Sequence, residues 1–64
     1  MAETDLQMAE RYVSEQKARI VKQYDLIGRL RSQRIPTGEA ERCLDIMNDL
    51  LGVMQVHVAQ LKTS

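Results

Sequence analysis

The sequence predicts an all-α chain: an antiparallel two-helix hairpin that dimerises into a four-helix bundle. Three observations carry this reading. Apolar residues recur at three- and four-residue spacing on both sides of a single break, and Gly and Pro are nearly absent outside it. The apolar face that follows the break is also wider than one hairpin can cover.

The break is Arg34-Ile35-Pro36-Thr37-Gly38-Glu39. Proline pushes the residue before it out of the α region, so a helix arriving from the N-terminal side stops near Arg34. Thr37 is a good N-cap, and Glu39 and Glu41 suit the positive end of a new helix dipole. Arg29, Arg31 and Arg34 stand where the preceding helix has its negative end. The expectation is a first helix over about residues 4–34, a turn at about 35–37 and a second helix over about 38–62.

In the first helix Leu6, Val13, Ile20 and Ile27 recur every seven residues, with Ala9, Tyr12, Tyr24 and Leu30 beside them. Gln16 and Gln23 occupy positions where a strict seam would carry Leu. They lie either at the margin or hydrogen-bonded across a helix interface, where they would help fix register. Gly28 projects near the edge of the stripe, where it would allow a close helix approach; Gly52, inside the second helix, projects to its polar face.

The second helix is cleaner. Ala40, Leu44, Met47, Leu51, Met54, Val58 and Leu61 follow a 4-3-4-3 spacing without a miss. Cys43, Leu50 and His57 widen that stripe, and Ile46 and Val53 widen it further, to about 180° of the helix at 100° per residue. A hairpin needs about 100° on each helix, so the surplus must meet another surface, most simply a second copy of the chain. The residues expected at that self-association interface are Leu44, Met47, Leu50, Leu51, Met54, Val58 and Leu61, with Ile20 and Ile27 from the first helix.

Composition points the same way. Sixty-four residues make one small domain, and such a chain buries only about 60% of its unfolded surface. The usual supplements are a disulfide, a metal or a partner. The one cysteine excludes an internal disulfide. Cys43 and His57 have no second Cys or His to complete a zinc site, and at fourteen residues apart they stand about 21 Å from each other. Cys43 therefore reads as a buried small hydrophobe and His57 as a boundary residue, with no metal and no cofactor. That leaves a partner.

Nine Lys and Arg balance nine Asp and Glu. Zero net charge argues against general binding to nucleic acid or an anionic membrane, and gives little protection against self-association. The start is acidic and polar, unlike a signal peptide, and no apolar run approaches the roughly 20 residues that span a bilayer. The expected location is cytoplasmic, and the unpaired cysteine agrees with a reducing compartment.

Catalytic patterns are missing too. Asp45 and Asp49 pair on the polar face, where no pocket shifts a carboxylate pKa. Ser14, Ser32 and Thr37 have no local His or Asp suited to activation, and no glycine-rich phosphate loop occurs. The chain does not read as an enzyme. An alternative role, as a regulatory accessory factor contacting nucleic acid, rests on Lys17, Arg19, Lys22, Arg29, Arg31 and Arg34 in the second half of the first helix. These scatter round the helix with Tyr24 as the only nearby ring, and so favour instead a small structural module that binds protein.

The strings Ala9-Glu10-Arg11-Tyr12-Val13, Arg19-Ile20, Gln23, Leu26-Ile27 and Arg29-Leu30 have a family look. So do Thr37, Glu39-Ala40-Glu41-Arg42, Leu44 and Val56-His57-Val58-Ala59. Together they resemble a set of short, uncharacterised helical-hairpin proteins of rhizobia and related alphaproteobacteria. The resemblance spans nearly the whole chain. It departs at Ile35-Pro36-Thr37-Gly38, where the family carries a Gly-His-Asp-Thr-like turn. It implies a helical hairpin and brings neither an activity nor functional residues.

Overall fold

A computed structural model describes residues 2–63 and contains two helices, α1 (Asp5–Ser32) and α2 (Gly38–Thr63), packed against each other as a hairpin. Among the described residues there is no strand.

Thr4 sets the start of α1. Its backbone is extended, its Oγ1 accepts the Gln7 backbone N–H at 3.1 Å, and its own N–H donates to Gln7 Oε1 at 3.0 Å. This reciprocal capping box satisfies two of the amide groups that a helix start leaves without partners. Asp5 adds negative charge at the positive end of the dipole. Arg11 lies on the outer surface and donates to both Glu3 carboxylate oxygens at 3.1 Å, which raises its pKa above the ordinary arginine value.

The end of α1 comes at Ser32, two residues before the position that Pro36 alone suggests. The cause lies at Arg34, which takes a left-handed φ of 60°. That residue lets the Ile35 N–H reach back to the Leu30 carbonyl at 2.9 Å while the Arg34 N–H bonds the Arg31 carbonyl at 3.0 Å. These are the two bonds of a Schellman stop, a motif that usually carries Gly at the left-handed position. The turn thus occupies residues 33–37. It hands over to α2 at Thr37, whose carbonyl accepts the Glu41 N–H at 2.8 Å. An ion pair between Arg31 and Glu41 joins the last turn of α1 to the first turn of α2.

Between the helices the core is small. Ala9, Ile20, Ile27 and Leu44 are buried, with Ala40, Met47 and Leu51 packed against the cluster of Ile20, Ile27 and Leu44. The most buried of the described residues is polar: Gln16, 3% exposed. Its Nε2 donates to the Met47 carbonyl at 3.0 Å, and seven residues on, Gln23 Nε2 donates to the Ala40 carbonyl at 2.9 Å. Of the two readings open for these glutamines, the cross-interface one is correct. Because Ala40 and Met47 are also seven apart, the two bonds repeat one contact a heptad later and hold the helices in a single antiparallel register.

Three expectations change. Tyr12 and Tyr24 are exposed, because each sits on a flank of the seam formed by Ala9, Val13, Gln16, Ile20, Gln23 and Ile27 rather than in it. Cys43 is also exposed, one position short of the buried Leu44 and hence turned about 100° from it. Gly28 admits no close approach within the hairpin, since a Cβ built there meets nothing within 4 Å.

The result is a slab. Its Cα extents are 48 × 22 × 11 Å and its radius of gyration is 15.0 Å, against about 11 Å for a compact chain of this length.

Candidate functional site

The hairpin's own seam consumes much of the apolar surface. Ile20, Ile27 and Leu44 are buried there, and Met47, Leu51, Met54, Val58 and Leu61 are partly buried along it. Of the nine residues expected at the self-association interface, Leu50 alone is exposed, at 48%.

A second row stands beside the first. Cys43, Ile46, Leu50, Val53 and His57 follow a 3-4-3-4 spacing of their own and are all exposed, Ile46 and Val53 at 67% and 66%. Helix α2 therefore carries two parallel seams. One faces α1 and the other faces solvent.

The same side of α1 is mixed. Tyr12 meets the second seam directly: with Ala9, Val53, Met54 and His57 it lines a shallow groove of about 200 Å³. An adjoining groove of about 180 Å³ adds Asp5, Met8 and Leu61. Heptad spacing from Tyr12 places Arg19 and Leu26 on this flank, and from Met8 it places Glu15, Lys22 and Arg29 just outside it. The slab face is thus apolar along α2 and charged along the middle of α1.

The opposite face is polar. Its groove is lined by Glu10, Val13, Lys17, Gln55, Val58 and Lys62. Gly28 and Gly52 belong to this side by spacing, and a Cβ at Gly52 also meets nothing within 4 Å.

The basic half of α1 is partly engaged. Arg29 pairs with Asp25 at 2.7 Å, Arg31 with Glu41, and Arg19 Nη1 donates to Gln16 Oε1 at 3.4 Å. Lys17, Lys22 and Arg34 make no ion pair among the described residues. Nor do the described residues bring three or more His, Cys, Asp or Glu together as a metal site. Among the described residues no helix is long and apolar enough to cross a membrane.

No family model, curated protein or solved structure matches the chain. The resemblance to short rhizobial proteins draws no support from these comparisons.

Proposed function

We propose that the protein is a small non-catalytic interaction module of the cytoplasm that self-associates, two hairpins closing into a four-helix bundle. The observation that carries this is the second seam on α2: a 3-4 repeat of exposed apolar residues is the pattern one helix presents to another.

Area supports it quantitatively. A folded monomer of 7.3 kDa exposes about 4,200 Å². This chain exposes 5109 Å². The excess, about 900 Å², is close to the roughly 800 Å² that each partner contributes to a standard interface. Shape agrees: a second slab stacked about 10 Å away converts an 11 Å layer into a bundle with a nearly square cross-section. With nine charges of each sign, no net charge opposes the approach.

Sedimentation velocity at micromolar concentration tests the reading. The expected species has about twice the 7.3 kDa chain mass. A folded species at the single-chain mass overturns it.

A further inference from the structure

We infer that the two hairpins stack with their turns at opposite ends, α2 against α2, about a two-fold axis that passes beside Leu50. The inference rests on the self-association proposed above and specifies its geometry.

Two slabs meeting face to face can be related by a two-fold axis in only two principal ways. An axis along the helices puts both turns at one end and lays α1 of each copy on α2 of the other. An axis across the helices puts the turns at opposite ends and lays like helix on like helix. The surface chemistry separates them. The first arrangement keeps the level set by Gln16 and Met47, so Tyr12 and Met8 of α1 meet Leu50 and Val53. But Arg19 and Lys22 are pressed against Cys43, and Glu15 and Arg19 against Ile46, removing charges from water without partners. The second places apolar row on apolar row and leaves the charges facing charges.

The row itself is built for reversal. Counted from Leu50, Cys43 and His57 lie seven residues to either side, and Ile46 and Val53 lie four and three. Turned end for end about Leu50, the row falls back on itself, with the small Cys43 opposite the larger His57. Leu50 is also within one residue of the midpoint of α2, so the two helices overlap along their whole length.

Charge on α1 fits the same axis. The bond from Gln16 to the Met47 carbonyl puts Leu50 level with Val13. Reversal about Val13 brings Asp5, eight residues away, between the partner's Arg19 and Lys22, six and nine residues away on the other side. Opposite charges meet twice, once at each end of the contact.

Cysteine trapping on the full chain distinguishes the arrangements, because a disulfide forms only when the two Cα atoms approach within about 7 Å. Three proteins are treated with copper–phenanthroline at a concentration where sedimentation shows a dimer: the native chain, His57→Cys, and Leu50→Cys in a Cys43→Ser background. Position 57 is exposed, so that variant keeps the fold, as circular dichroism will verify. The expected result is no covalent dimer from the native chain. The His57→Cys chain links residue 43 of one copy to residue 57 of the other, mapped by peptide mass, and Leu50→Cys links to itself. Efficient self-linking of native Cys43 means parallel helices and overturns the inference. So does a sedimenting dimer in which none of the three links, since that is the same-end arrangement. A single-chain mass in sedimentation overturns the self-association reading as well, so the two failures are distinct.

Discussion

The side-chain amide of Gln16, in the middle of α1, donates to the main-chain carbonyl of Met47 in α2 across 3.0 Å, and none of the described residues is more buried than this glutamine. The Met47 carbonyl lies inside α2, so the glutamine adds a second bond to an acceptor the helix already uses. Gln23 repeats the arrangement on Ala40.

Replacing both with leucine removes two donors without orphaning any acceptor. The double variant Gln16→Leu, Gln23→Leu is expected to unfold at the same denaturant concentration as the native protein or a higher one. It is expected to lose uniqueness of register, seen as several species in sedimentation velocity. A loss of more than about 1 kcal/mol would show that the bonds are net stabilising.

Arg34 holds a left-handed backbone that costs a non-glycine residue about 1–2 kcal/mol. Arg34→Gly is therefore expected to stabilise the hairpin by about 0.5–1 kcal/mol, after allowing for the greater freedom of Gly in the unfolded chain. That gain raises the thermal midpoint by a few degrees. Arg34→Val, β-branched at the same angle, should lower it.

Gly28 and Gly52 lie inside helices with nothing within 4 Å of a built Cβ. Each change to Ala is expected to add up to about 1 kcal/mol in denaturant titration. Both residues fall on the slab face opposite the second seam, so the dimer mass should not change. A weakened dimer would move the association surface to the glycine side.

Within the hairpin, Ile27→Ala should cost about 2–4 kcal/mol, because Ile27 is 5% exposed and anchors the core. Val21→Ala, on the outer surface of the same helix, should stay within about 0.5 kcal/mol. Comparable losses would mean that α1 presents a different face to α2.

Leu50→Glu and Val53→Glu place charge on the second seam without touching the first. The double variant is expected to sediment at the single-chain mass and to lose the native protein's rise of melting temperature with concentration. Retention of the dimer would remove the second seam from the interface.

The helices were legible because the 4-3 repeat and the proline are strong signals. The partner of each apolar residue was not. A 4-3 spacing says that a residue packs on a helix without saying which helix, and burial shows that much of the row from Leu44 to Leu61 packs within the hairpin. The capping box is written in the sequence as Thr4-Asp5-Leu6-Gln7, with the Thr and Gln three residues apart. The Schellman stop was not legible, since arginine has no preference for the left-handed region and only the surrounding hydrogen bonds place it there. For the second seam, spacing had shown every member, and exposure supplied its direction.

The connection at residues 33–37 has a kinetic consequence. Closing a loop this short takes tens of nanoseconds, and helix formation about a microsecond, so two neighbouring helices can meet long before two chains do. At micromolar concentration even an association rate of about 10⁶ M⁻¹s⁻¹ gives encounters on the scale of a second. On the self-association proposed above, a newly made chain passes through an interval as a closed hairpin with its outer row bare, and the length of that interval is set by how many other copies are nearby.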